Sequence, residues 1–114
     1  MNLAANGGLA TVASLGFFED DRKILSPFDK HECISLKQAA DIAGKSESTL
    51  RGWCEQHGLG RRVGGGTWSV SKVALAMFLD GDAKALRAYH AGDRSSEMVA
   101  PYFERMFHQI RNGL

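Results

Sequence analysis

Hydrophobic positions between Ser35 and Gly58 follow the period of two short helices joined by a tight turn. Ser35 and Gln38 form a capping-box pair at the start of the first helix, and Gly44 is the residue type that commonly ends one. The inner face of this helix is small and consists of Leu36, Ala39, Ala40 and Ala43. These small side chains predict that a second helix can cross the first one closely.

The second predicted helix has one apolar face and one polar face. It begins after Ser46, a favourable N-cap residue, and ends at Gly58. Its inner face consists of Leu50, Trp53, Cys54 and His57. Its outer face consists of Glu47, Ser48, Arg51, Gly52 and Glu55. A short helix with an apolar back and a small, hydrogen-bonding front suits the major groove of DNA, and an ordinary helical hairpin in a protein core is the alternative.

After Gly58 the pattern changes to the two-residue period of a β-hairpin. Residues 60–63 and 67–70 are the predicted strands, and three consecutive glycines, 64–66, form the turn between them. The positions expected to face the core are Val63, Trp68 and Val70. The positions expected to face solvent are Arg62, Thr67 and Ser69.

Three further helices complete the predicted architecture. One begins after Ser71 and is expected to be largely buried, because apolar residues make up most of it through Leu79. The next spans about residues 82–91, with Leu86 and Tyr89 facing inward. The last begins near residue 96, and Pro101 predicts a kink or a late start in it. Its apolar face consists of Met98, Val99, Tyr102, Phe103, Met106, Phe107 and Ile110.

These elements predict a mainly α fold with a small β-hairpin. Residues 1–30 lack a clear hydrophobic period and are expected to form a flexible N-terminal arm, whose later part can dock on the core. Residues 31–80 contain the helix pair, the hairpin and the apolar helix. Residues 81–114 form a helical C-terminal extension.

The order of helix pair, glycine-turned hairpin and apolar helix resembles that of winged helix-turn-helix domains, in particular the excisionase-like branch of the MerR superfamily. The resemblance covers residues 34–80, about two-fifths of the chain. It rests on residues 35–40, Gly44-Lys45-Ser46, Thr49-Leu50, Trp53, Arg62-Val63-Gly64-Gly65, and the run from Trp68 through Val70 to Leu75, Phe78 and Leu79. Residues 81–114 lie outside it, and Gly52, Thr67 and Ser69 replace larger or basic residues of many relatives.

The resemblance implies a second helix in the major groove and a hairpin, the wing, on the DNA backbone or minor groove. The candidate DNA-binding residues are Lys45, Ser46, Glu47, Ser48, Arg51, Gly52, Arg61, Arg62, Gly65 and Thr67. The expected function is sequence-specific binding of double-stranded DNA for transcription regulation or site-specific recombination. A phage-type DNA-packaging recognition subunit and a protein-interaction adaptor that uses the C-terminal helix are the alternatives.

Positive charge is concentrated on the segment that carries these candidates. The whole chain has a net charge of +1. Residues 1–35 carry three basic and five acidic side chains, residues 36–72 carry six and three, and residues 73–114 carry five of each. The excess is modest, so we expect a short DNA footprint per subunit with weak non-specific binding.

Other classes of function have little support in the sequence. His31, Cys33, Cys54 and His57 together could form a zinc set, but the spacing is unusual and Cys54 lies on a predicted inner face. Two cysteines predict no disulfide framework. Nucleotide-binding, hydrolase and metalloprotease motifs are missing from the sequence. We therefore expect neither catalysis nor a cofactor or metal.

The expected location is the cytoplasm, and the expected partners are DNA and further copies of the chain. Apolar runs fall short of the roughly 20 residues of a membrane span, and no Lys or Arg precedes Arg22 as the start of a signal peptide requires. The last helix has more aromatic and methionine side chains than a helix that only covers a core usually needs. We expect a homodimer or higher oligomer through residues 82–114.

Overall fold

The computed structural model describes residues 21–62 and 64–111, which form five α-helices and one three-stranded antiparallel sheet. In chain order the elements are β1 (Cys33–Ser35), α1 (Leu36–Ala43), α2 (Glu47–His57), β2 (Gly60–Arg62), β3 (Trp68–Ser71), α3 (Lys72–Leu79), α4 (Ala83–His90) and α5 (Ala100–Arg111). The mainly helical class with a small hairpin is confirmed. The expectations for residues 1–20 and for Val63 lie outside the described residues.

Local interactions of the predicted kind define α1 and α2. The Gln38 backbone N–H donates to Ser35 Oγ at 3.0 Å, and the Ser35 N–H donates to Gln38 Oε1 at 2.9 Å, which completes the capping box. Gly44 ends α1 with a left-handed φ of 68°. Ser46 caps α2 by accepting a hydrogen bond from the Thr49 N–H. The predicted turn between the two helices is therefore confirmed.

The sheet has one strand more than the sequence predicts. The strands lie in the order β1-β3-β2, so β3 pairs with β2 in the hairpin and with β1 on its other side. Gly60 faces Val70 across the hairpin, and a Cβ at Gly60 would collide with the Ser69 carbonyl oxygen. The strand β1 has three residues, which are too few to show an alternating pattern in the sequence, so the pattern does not predict this strand.

One hydrophobic core joins the sheet to all five helices. Leu50 and Cys54 of α2, Val70 of β3, and Tyr89 of α4 are among its most buried side chains. Trp53 is only half-buried and His57 is exposed, so the inner-face prediction for His57 is wrong. The His57 ring instead packs on Phe78 of α3, with 4.7 Å between ring centroids, because α2 ends at this edge of the core.

The C-terminal helices pack on α3 with part of the predicted apolar face. Val99, Tyr102 and Met106 are buried. Helix α5 begins at Ala100, which confirms the late start. In the loop before it, Asp93 Oδ1 accepts hydrogen bonds from the Ser95 and Ser96 backbone N–H groups. The exposed positions are Leu79, Met98 and Phe107. The sequence places them on apolar helix faces, but they lie beyond the edges of the buried stripe.

The later part of the N-terminal arm docks on the core, as expected. Ile24 and Leu25 are buried in the same cluster as the helices. The Arg94 guanidinium donates to the Lys23 and Ser26 carbonyl oxygens at 2.8 and 2.7 Å and stacks over the Tyr89 ring at 4.0 Å. Residues 21–26, which we call the docked arm, are therefore fixed against α4. Among the described helices, none is long and apolar enough to cross a membrane.

Candidate nucleic-acid interface

The outer face of α2 is open along the helix. Glu47, Ser48 and Arg51 are exposed, and Gly52, which follows Arg51, is half-buried. Lys45 and Ser46 precede the helix and are also exposed. The Ser46 hydroxyl is occupied by capping, because it accepts from the Thr49 N–H and bonds to the Thr49 hydroxyl at 3.0 Å. The predicted polar face therefore consists of small or charged side chains with room around them.

A groove separates the N-terminal half of α2 from the β2–β3 hairpin, and we call it the helix–hairpin groove. Its lining includes Lys37, Glu47, Arg51, Arg62, Gly66 and Thr67. Thus side chains predicted from two separate motifs, the second helix and the wing, face the same space. Lys37, from the first turn of α1, was not among the predicted site residues. Its position as a basic residue on the polar face of α1 is the sequence feature that identifies Lys37 as a candidate.

The hairpin holds one of its arginines in a defined position. The Arg62 guanidinium carbon lies 5.8 Å from the centre of the Trp68 ring, and Nη2 donates to the Gly65 carbonyl oxygen at 3.4 Å. The exposed glycines 64–66 form a turn without side chains. Arg62 therefore lies beside a stretch of backbone that another molecule can approach closely.

The other arginine of the hairpin does not line the helix–hairpin groove. Arg61 lines a second depression, between the hairpin, the docked arm and the C-terminal half of α2, which we call the arm–hairpin cleft. Its charged lining residues are Asp21, Arg22, Lys23, Glu55, Arg61 and Arg62. Arg62 and Trp68 border both depressions. Both predicted wing arginines therefore line this cleft, and Arg62 alone of the two also lines the helix–hairpin groove.

The docked arm and α4 hold the C-terminal end of α2. Arg22 donates to the Glu55 and Gln56 carbonyl oxygens at 3.2 Å each, and His90 Nε2 donates to the Gly58 carbonyl oxygen at 2.8 Å. A Cβ at Gly58 would lie within 3 Å of both the His90 and Arg22 side chains, so only glycine fits there. The positive charge of Arg22 at this end also complements the helix dipole. The orientation of α2 is therefore set by residues far from it in sequence.

The structure does not assemble the candidate zinc set. Burial, followed by the negative charge of Glu55, raises the pKa of the Cys54 thiol to about 11, so the thiolate that zinc prefers is disfavoured. The His57 ring packs on Phe78, and His31 Nδ1 lies 3.2 Å from Asp29 Oδ1. Within residues 21–62 and 64–111, no group of three or more His, Cys, Asp and Glu side chains is placed to hold a metal ion.

Comparison with known proteins adds no further assignment. No family model, curated protein or solved structure matches this chain.

Proposed function

We propose that the protein binds double-stranded DNA as a winged helix-turn-helix domain of the excisionase-like type. One observation carries this proposal: the polar face of α2 and the hairpin border the same open groove. Three basic side chains, Lys37, Arg51 and Arg62, line that groove against one acidic side chain, Glu47. A positively charged groove between a short exposed helix and a glycine-turned hairpin complements a DNA strand.

In this arrangement α2 enters the major groove and reads bases. Arg51 is exposed in the middle of the helix and has the reach for a bidentate contact to guanine. Ser48 and Glu47 are secondary base contacts, since a carboxylate accepts from cytosine but is repelled by phosphate. Gly52 allows the helix to approach the DNA backbone or a base edge closely. Lys45 binds phosphate near the start of α2.

The hairpin is the wing of this arrangement. Its bare glycine turn, including Gly65, and the neighbouring Thr67 approach the DNA backbone or minor groove, and Arg61 and Arg62 contribute affinity with little base discrimination. The activity is binding without catalysis, cofactor or metal. The biological roles that fit are transcription regulation and site-specific recombination in the cytoplasm, or recognition of DNA for packaging by a phage.

A single recognition helix reads few base pairs, so we include self-association in the proposal. Phe107 is 43% exposed and lines an apolar depression together with Pro27 and Phe103. Phe28 is 58% exposed and follows Pro27 directly in the chain. A second copy that covers this surface would place two α2 helices on repeated half-sites.

The same apolar surface favours one alternative function, a protein-interaction adaptor. In that case the surface around Phe107 would bind a different protein, and the α2 face would have no ligand. Salt dependence separates the two functions, because binding to phosphate weakens steeply as salt rises, whereas burial of an apolar surface responds little.

Selection of bound sequences from a pool of random DNA duplexes tests the proposal. Wild-type protein should enrich a short motif, and the variant Arg51→Ala should lose the preference at one base position. The matched control is Arg87→Ala, which removes an exposed arginine of α4 that borders neither the groove nor the cleft. The DNA proposal would be refuted if the folded wild-type protein enriched no sequence and its binding to duplex DNA did not weaken as salt rises. That result would favour the adaptor.

A further inference from the structure

The apolar depression beside Phe107, which we call the aromatic socket, is lined by Pro27, Asp29, Glu32, Arg94, Phe103 and Phe107. The charged groups in this lining already bind within the chain. The Glu32 carboxylate accepts hydrogen bonds from two hydroxyls, those of Ser71 and Tyr89. Asp29 Oδ1 accepts from the backbone N–H two residues later at 2.9 Å, and the Arg94 guanidinium donates to four backbone carbonyl oxygens. The socket therefore suits an apolar ligand better than a charged one.

Phe28 is an apolar projection next to this socket. Its side chain is 58% exposed, and it directly follows the proline that lines the socket. The backbone on both sides of Phe28 is fixed, since the Ser26 carbonyl oxygen accepts from Arg94 at 2.7 Å and the Asp29 carbonyl oxygen accepts from the Glu32 N–H at 3.0 Å. An aromatic ring presented from a fixed backbone loses little conformational freedom when it binds.

We infer that two copies of the chain form a closed dimer in which Phe28 of each copy inserts into the aromatic socket of the other. This inference rests on the proposed function, which includes self-association. A surface that carries both a projection and a matching depression is self-complementary, and one two-fold axis fills both depressions at once. Buried aromatic side chains in pockets are also the residues that stabilise interfaces most.

The size of the socket and the charges around it fit this arrangement. The socket has a volume of about 260 Å³, and an apolar cavity of about 150 Å³ already binds benzene, so a phenyl ring has room. Lys30, two residues after Phe28, and Glu104, one helical turn before Phe107, are both exposed and carry opposite charges. The net charge of the chain is only +1, so two copies repel each other little.

Complementation between two full-length variants tests the reciprocal contact. Phe28→Lys removes the projection and Phe107→Glu alters the socket, so each variant alone should have the mass of a monomer by light scattering at tens of micromolar. An equimolar mixture of the two should recover the mass of a dimer. In the mixed dimer one Phe28–Phe107 contact is intact, and at the other the introduced lysine faces the introduced glutamate.

Two further variants control for charge and folding. Ile42→Lys adds the same charge at a position on α1 that is 60% exposed and does not line the socket, and it should keep the mass of a dimer. Phe28→Ala removes the ring without adding a charge, and it should raise the dissociation constant of the dimer by about tenfold or more. Circular dichroism of each variant shows whether the helices are retained.

The outcomes separate this inference from the proposed function. A wild-type dimer whose two variants stay monomeric on mixing, or a dimeric Phe28→Lys, would overturn the insertion and leave self-association intact. Strictly monomeric wild-type protein would overturn both and leave the socket to residues 1–20 of the same chain or to a different protein. A mixture that dimerises, together with wild-type protein that enriches no DNA sequence, would support the inference and refute DNA binding.

Discussion

The side chain of Tyr89 in α4 donates a hydrogen bond to the buried carboxylate of Glu32, 57 residues earlier in the chain. Ser71, at the end of β3, donates to the same carboxylate oxygen, and the Leu25 backbone N–H donates to the Tyr89 hydroxyl at 2.9 Å. Glu32 is only 2% exposed. This network joins the docked arm, the sheet and α4 to one another, so it supports two borders of the arm–hairpin cleft, the docked arm and β3.

Replacement of Tyr89 by phenylalanine should destabilise the protein. The change keeps the ring but removes one donor from a buried carboxylate and the acceptor of the Leu25 N–H. A buried polar group that loses its partner costs about 1–3 kcal/mol. Chemical denaturation should show that loss in the free energy of unfolding. Tyr102→Phe is the comparison, since the Tyr102 hydroxyl bonds to two exposed or half-buried carboxylates, those of Asp80 and Asp82. If Tyr89→Phe lost no more unfolding free energy than Tyr102→Phe, the proposed stabilising role of the Glu32 network would be contradicted.

Stability should fall in alkaline solution because both tyrosines hold their protons more tightly when folded. Burial, then the charge and hydrogen bond of Glu32, raise the pKa of Tyr89 above its ordinary value of 10.0. Burial and the hydrogen bonds to Asp80 and Asp82 raise the pKa of Tyr102 to about 12. The unfolded chain therefore releases these protons first, and the free energy of unfolding falls as pH rises above about 10.

Chemical denaturation at pH values below and above about 10 measures this fall in the free energy of unfolding. Tyr89→Phe should make the decline shallower by up to about 1.4 kcal/mol per pH unit. Tyr102→Phe accounts for the contribution of the chain's other tyrosine, and the Cys54 thiol, whose pKa is also raised, is present in both variants. A decline in Tyr89→Phe as steep as that of the wild type would show that Tyr89 does not keep its proton on folding.

Arg51→Ala should weaken binding to the selected DNA site by about 1–3 kcal/mol and relax preference at one base position. Arg51 is exposed in mid-helix on the groove side of α2, and a bidentate contact to guanine needs its planar guanidinium. Fluorescence anisotropy with single-base variants of the site measures both effects. Equal weakening on every sequence would instead make Arg51 a phosphate contact.

Two substitutions at Gly52 should affect different properties of the protein, its stability and its affinity for DNA. A Cβ at Gly52 would meet no atom within 4 Å, so alanine fits and should stabilise α2 by up to about 1 kcal/mol. The Cβ of a leucine would also meet no atom within 4 Å, and its side chain would project from the face proposed to meet DNA. Gly52→Leu should therefore remain folded and lose DNA affinity. Normal DNA binding by folded Gly52→Leu would refute a close approach at this position.

The apolar surface at Phe107 should mediate assembly. Light scattering at tens of micromolar protein should give the mass of a dimer or higher oligomer, and Phe107→Glu should reduce it to that of a monomer. Leu79→Glu is a matched control on α3, since Leu79 is 45% exposed and Phe107 is 43% exposed. Wild-type protein that is strictly monomeric, both free and on DNA, would contradict the assembly and leave α5 as a cover of the core.

Positions controlled by neighbours in sequence were predictable from the sequence alone. The capping box of Ser35 and Gln38, the left-handed Gly44 and the cap at Ser46 each depend on atoms within a few residues, so residue type and spacing suffice. The late start of α5, at Ala100 directly before Pro101, has the same local origin. The change to a two-residue period after Gly58 also identified the hairpin.

Only the tertiary structure determined which segments meet. The pairing of β1 with β3, the burial of Glu32 and the docking of residues 21–26 depend on contacts between residues distant in sequence. A short strand and a single buried carboxylate leave no periodic signal. Helical spacing likewise identified an apolar face in α5. It did not show which residues of that face are buried, because this depends on how much of α5 packs against α3. The sequence by itself determined the elements and their ends, and packing between them determined the two grooves.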